Sequence, residues 1–125
     1  MGKTKILIVD DEPNILLLLE SRLTNAGYAV VKAANGTDAV AMARKELPAL
    51  IICDICLPDI DGGEVSHHLG KDIKTKDIPI IFLTALLKKE EGQKEQPPES
   101  EMHFLAKPFD PQELLDTIAK CLKKS

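Results

Sequence analysis

The sequence predicts an α/β protein whose parallel sheet is wound on both faces by helices. Three observations predict it. Short apolar runs, Ile6-Leu7-Ile8-Val9 and Ile51-Ile52-Cys53 among them, end abruptly in acids, as strands covered on both faces do where they leave a sheet. Between the runs lie segments whose apolar residues recur at helical spacing. Glycine and proline mark the junctions, so strands and helices alternate along the chain.

The first strand, Ile6 to Val9, runs into Asp10-Asp11-Glu12. Pro13 suits the first turn of a helix, and the acids ahead of it complement the helix dipole. That helix spans Asn14 to Ala26, with Ile15, Leu16, Leu19, Leu23 and Ala26 on one broad face. Gly27 is placed to end it. Tyr28 to Ala33 is a short strand. Asn35-Gly36 makes a turn, Thr37 caps a helix running to about Leu47, and Pro48 stops it. Ala49 to Cys53 is the central strand, ending at Asp54, and Pro58 with Gly62-Gly63 marks the loop beyond. Glu64 to Lys71 is a short helix with Val65, His68 and Leu69 on one face. Ile78 to Leu83 is the next strand, ending at Thr84-Ala85. Met102 to Ala106 is the last, ending at Lys107-Pro108-Phe109. Asp110 caps a final helix that opens on Pro111, with Leu114, Leu115, Ile118 and Leu122 as its buried stripe.

One stretch breaks the pattern. From Lys88 to Glu101 there is no large apolar residue, and Pro97-Pro98 interrupts any helix. Segment 86–101 is therefore expected to be at most an exposed turn or two in a mobile loop. Right-handed crossovers between the remaining elements give five strands in the order 2-1-3-4-5, the flavodoxin-like arrangement. The expectation is one domain over residues 1–125, with an eroded fourth helix at 86–101.

Composition narrows the function classes. A net charge of −4 gives no basic footprint for nucleic acid or an anionic membrane. Tyr28 and three Phe are too few to build a stacking platform for bases. Three cysteines, an odd number at irregular positions, point to a reducing compartment. The N-terminus reads as neither a signal peptide nor a membrane span, so the expected location is the cytoplasm. Cys53-Asp54-Ile55-Cys56 has the spacing of a redox dithiol, but such pairs open a helix, and here Pro58 follows with Cys53 directed into the core. His67 and His68 have no other His or Cys at metal-binding spacing.

In the 2-1-3-4-5 order the first and third strands are neighbours, and ligands bind at the switch point between their carboxyl ends. Asp10 and Asp11 leave the first strand there, and Asp54 leaves the third. Thr84 ends the fourth and Lys107 follows the fifth on the same edge. Three clustered carboxylates repel unless positive charge intervenes. A divalent cation with hard oxygen ligands answers that need, with Lys107 facing it. An acid so flanked is arranged to accept a phosphoryl group as nucleophile.

At this point the chain resembles the receiver domain of two-component response regulators. The matching motifs are Val9-Asp10-Asp11-Glu12, the loop Asp54-x-x-x-Pro58-x-x-Asp61-Gly62, Thr84-Ala85 and Lys107-Pro108-Phe109. The resemblance implies that Asp54 receives phosphate from the phosphohistidine of a sensor kinase or phosphotransfer protein. It implies Mg²⁺, or Mn²⁺ in its place, held by Asp10, Asp11, Asp54 and the backbone carbonyl of Cys56. Thr84 would bond the phosphoryl oxygen, Lys107 would pair with it through a cis bond to Pro108, and Phe104 would occupy the aromatic switch position. Thr84 and Phe104 would relay the state to a downstream effector. Leu86, two residues after Thr84, would shield the acyl phosphate from water. Such a domain phosphorylates itself but turns over no free metabolite. The expectation is a receiver with no effector domain after the last helix, either stand-alone or taken from a longer regulator or hybrid kinase. Two rivals are a phosphate-independent interaction module and an aspartyl-phosphate phosphatase. The latter wants an acid two residues after its nucleophile, where this chain has Cys56.

Overall fold

A computed structural model describes residues 3–84 and 102–124. Segment 86–101, with the expected eroded helix and Leu86, lies outside the described residues. The strands are β1 (Lys5–Val9), β2 (Ala29–Ala33), β3 (Leu50–Asp54), β4 (Ile80–Thr84) and β5 (Met102–Ala106). They pair in parallel in the order β2-β1-β3-β4-β5, the flavodoxin-like doubly wound arrangement the sequence predicts. Four helices occur among the described residues: α1 (Pro13–Asn25), α2 (Gly36–Glu46), α3 (Gly62–Gly70) and α4 (Pro111–Lys124).

Side chains alternate across the pleat and so divide the core in two. Ile6, Ile8, Leu50, Ile52, Ile81, Leu83 and Leu105 pack with Leu19 and Leu23 of α1 and Leu114 and Ile118 of α4. Leu7, Val9, Ile51, Cys53, Ile80 and Phe82 pack with Ala39, Val40 and Ala43 of α2 and Val65 and Leu69 of α3. Both faces of the central strands are covered, which is why β3 and β4 read as unbroken apolar runs.

Helix ends follow local chemistry, with two corrections to the expected boundaries. Gly27 adopts φ +96° after α1. Its N–H donates to the Thr24 carbonyl and that of Tyr28 to Leu23, the paired bonds of a glycine-terminated helix. At α2 the cap is Asn35, not Thr37. Asn35 has an extended backbone, and its Oδ1 accepts from the Asp38 N–H at 2.8 Å. Thr37 already lies inside the first turn and uses its hydroxyl elsewhere. α3 begins at Gly62 rather than Glu64, because Asp61 Oδ1 accepts from the Glu64 N–H at 2.9 Å and caps it there.

Gly36 is buried against Ile60 of the loop after β3. A Cβ at Gly36 would meet Ile60 Cγ1 in hard overlap and its carbonyl oxygen at 2.8 Å. A carbonyl cannot swing aside as a side-chain tip can. Gly36→Ala is expected to cost about 1–3 kcal/mol in denaturant unfolding.

Acid sensitivity follows from two carboxylates on this side of the fold. Hydrogen bonds from Thr37 hold Asp59 far below its ordinary 3.8, and the Lys74 N–H, then Arg44, lowers Asp72. A depressed carboxyl stabilises the fold above its unfolded value and loses that contribution as pH falls. Stability should therefore drop as pH falls below about 4. The double variant Asp59→Asn/Asp72→Asn should show a shallower acid limb in thermal unfolding.

Candidate functional site

The sheet register brings four strand ends together. Val9 pairs with Cys53, Asp54 with Leu83 and Thr84 with Ala106, so the residues that follow share one edge. Lys107 N–H donates to the Thr84 carbonyl at 2.9 Å, fixing Lys107 just beyond β5. Its peptide bond to Pro108 is cis. Its Nζ donates to Asp10 Oδ2 at 3.1 Å and to Asp54 Oδ2 at 3.2 Å. The remaining oxygens are met by backbone. Asp10 Oδ1 accepts from the Glu12 N–H at 2.9 Å, and Asp54 Oδ1 from the Cys56 N–H at 3.2 Å. Each buried acid thus takes one ammonium bond and one amide bond.

Asp10 is fully buried and Asp54 nearly so, whereas Asp11 is exposed at the rim. One carboxylate oxygen from each of the three lies within 4.8 Å of the others. Burial pushes the Asp10 carboxyl above its ordinary value, outweighing the Glu12 N–H and Lys107 that pull it down. Lys107 itself is held above its ordinary value: burial works against it, but its bonds to Asp10 and then Asp54 prevail. Three carboxylates against one ammonium leave two negative charges if all ionise, the charge a divalent cation cancels. Hard oxygen donors in this number suit Mg²⁺. The three sequence-predicted acids therefore fit such an ion.

The cysteines stand apart from this chemistry. Cys53 is buried among core residues, and burial, then Asp54, pushes its thiol up to about 12. That setting disfavours a reactive thiolate at Cys53. Cys56 is exposed and meets the site through its backbone.

Residues 6–119 match the family model described as the response regulator receiver domain. The chain belongs to that family. Among relatives of this receiver domain, the protein PilH of Pseudomonas aeruginosa is 39% identical over 115 residues, spanning 91% of this chain and 93% of PilH. The probable transcriptional regulator ycf27 of Porphyra purpurea is 40% identical over 130 aligned positions, covering 98% of this chain and 49% of that protein. The chain thus spans about half the length of the ycf27 relatives it matches. Among solved structures, the chemotaxis response regulator CheY4 of Vibrio cholerae superposes with a TM-score of 0.84 at 33% identity, covering 97% of this chain and 100% of CheY4. The receiver domain of the sensor histidine kinase PA1611 from P. aeruginosa gives 0.84 at 31% identity, covering 98% and 99%. That structure is described with a magnesium ion coordinated in the active site cleft.

Thr84 and Phe104 lie on the neighbouring strands β4 and β5 of this receiver domain. Thr84 pairs with Ala106 and Phe82 with Phe104, so both side chains leave the same face of the sheet. Thr84 is buried, while Phe104 is 40% exposed and stacks on Phe82 with ring centres 5.5 Å apart. Phe82 and Phe104 line a cleft of about 360 Å³ with Ile55, Asp61, Gly63 and Ser66. Among the described residues no helix is long and apolar enough to cross a membrane.

Sequence reading singled out the three acids, Thr84, Phe104 and Lys107 but missed Asp59. Its carboxylate accepts from the Gly36 and Thr37 N–H groups at 2.8 and 2.9 Å and from the Thr37 hydroxyl at 2.6 Å. The only sequence signal was an acid inside a motif position that tolerates any residue.

Proposed function

We propose that this receiver domain is a phospho-accepting switch in a histidine-to-aspartate phosphorelay, with Asp54 as acceptor. The observation that carries this reading is the Asp54 carboxylate bonded to Lys107 and clustered with Asp10 and Asp11 at the switch point of the sheet. An Asp54 oxygen forms the new P–O bond as the P–N bond of a donor phosphohistidine breaks. The bonding pair returns to the imidazole nitrogen. Lys107 faces the oxygens of the incoming group and offsets their charge. Asp10, Asp11, Asp54 and the Cys56 carbonyl would hold Mg²⁺, or Mn²⁺ in its place, which when bound neutralises charge on the transferring oxygens.

The Thr84 hydroxyl is then to bond a phosphoryl oxygen, and Phe104 is to turn inward toward the space Thr84 leaves. The shared face of the two residues supports this, as does the outward position of Phe104 beside an open cleft. Such a step is a population shift between two packings. The donor is a sensor histidine kinase or phosphotransfer protein in the cytoplasm, and the output is an effector protein or domain. The domain turns over no free metabolite.

Intact mass after incubation with Mg²⁺ and acetyl phosphate tests the reading. One phosphoryl adduct is expected on the wild type, and none on Asp54→Ala or without Mg²⁺. No adduct on a wild type that binds Mg²⁺ would make it a phosphate-independent module.

A further inference from the structure

We propose that Asp59 is a positioning residue for the acceptor loop: it ties residues 55–61 to the first turn of α2 and thereby sets the metal affinity of the site. The proposal deepens the phosphoacceptor reading and rests on its metal-binding acids.

The loop between β3 and α3 is held at both ends by its own neighbours. Cys56 N–H donates to Asp54 Oδ1 at the start, and Gly62 N–H donates to the Ile55 carbonyl at 2.9 Å to close the end. Asp61 is occupied in capping α3. Between these points Leu57 and Ile60 pack against the core, and Asp59 supplies the loop's hydrogen bonds to α2. Ile60 lies directly on Gly36, where no side chain would fit. Asp59 takes both N–H groups of the opening residues of α2 and the Thr37 hydroxyl. Those amides are the unpaired donors of a helix start, and the positive end of the helix dipole lies there.

These donors hold the Asp59 carboxyl far below the usual carboxylate range, so the tie persists across physiological pH. Asp59 itself is exposed, and its replacement empties no core. What it fixes is the course of the chain between Asp54 and Gly62, including the Cys56 backbone proposed to face the metal. A loop that must be ordered when the ion arrives binds it more weakly than one already in place. Outer groups that orient metal ligands commonly matter as much as some ligands.

Calorimetric Mg²⁺ titration of the whole chain tests this without reference to phosphorylation. Asp59→Ala is expected to raise the Mg²⁺ dissociation constant about tenfold. Thr37→Val removes one bond while leaving every charge in place, and should raise it about threefold. That variant separates the tie from the loss of a nearby negative charge. Asp72→Ala is the control. It also breaks hydrogen bonds, to Lys74 N–H and Arg44, but far from the loop, and should leave the constant unchanged. The proposal is overturned if Asp59→Ala stays within about twofold of wild type, or if Thr37→Val has no effect. A wild type that binds Mg²⁺ yet takes no phosphoryl group sinks the acceptor reading alone, and the titrations still decide Asp59. A wild type that binds no Mg²⁺ overturns both.

Discussion

Lys107→Met is expected to slow phosphoryl uptake from acetyl phosphate by about 100-fold or more while leaving Mg²⁺ binding intact or tighter. The two effects diverge because the ammonium plays opposite parts toward the two charges. It shares the carboxylates with the metal, so its removal strengthens their pull on a divalent ion. An incoming phosphoryl group is an anion, and without Lys107 it meets the acids on that side unscreened. Methionine keeps much of the volume and none of the charge.

The same variant should lose stability without metal. Asp10 is fully buried, and burial already pushes its carboxyl up against the pull of the Glu12 N–H and Lys107. Without Lys107 it rises further. A carboxyl raised in the folded state costs stability as pH climbs through and above its unfolded value, so the deficit is expected near neutral pH and should vanish in acid. Removing one partner of a buried pair typically costs 3–5 kcal/mol, but Asp10 can take up a proton, so about 2 kcal/mol is expected. Lys107 contributes with the opposite sign. Its raised folded value stabilises the wild type below 10.5 and is lost as pH rises beyond it, a limb the variant should lack. Thermal unfolding at pH 4, 7 and 10.5 would check all three. An unchanged uptake rate would remove Lys107 from the transfer chemistry.

The acid cluster was legible in the sequence because it needs only strand order and strand ends. Continuous apolar runs located β1, β3 and β4, and crossover handedness placed β1 beside β3, so Asp10 and Asp54 had to meet. Lys107 followed from the same edge. Contacts made across the sheet by loops were not legible. Thr37 reads as the cap and Asn35 as a turn residue, but Asn35 caps α2 while Thr37 engages Asp59 from the loop after β3. Gly62 read as a helix breaker, yet it opens α3. A Cβ there would meet Ile55 Cα and the Phe82 ring at 3.0 Å, so the glycine answers to space and not to turn geometry. The outward pose of Phe104 is a rotamer, and no pattern of residue types encodes it.

Asp11→Ala is expected to produce the complementary defect: Mg²⁺ affinity lower by at least about 100-fold, with phosphorylation recovering in part as Mg²⁺ is raised. Asp10 and Asp11 are adjacent in sequence but differ in setting. Asp10 is buried and fastened by Lys107 and the Glu12 N–H, so its loss would disturb the fold as well as the site. Asp11 is exposed at the rim, with one oxygen within 4.8 Å of those of Asp10 and Asp54. Its removal empties no core and relieves repulsion, so unfolding free energy should stay within about 0.5 kcal/mol of wild type. Calorimetric titration beside adduct formation across a Mg²⁺ series checks both halves. Lys107→Met should bind metal and stay slow to transfer at any concentration, whereas Asp11→Ala should transfer once metal is forced on. A wild-type dissociation constant in Asp11→Ala would mean that Asp10 and Asp54 suffice for the ion. The exposed acid would then owe its place beside them to solvation alone.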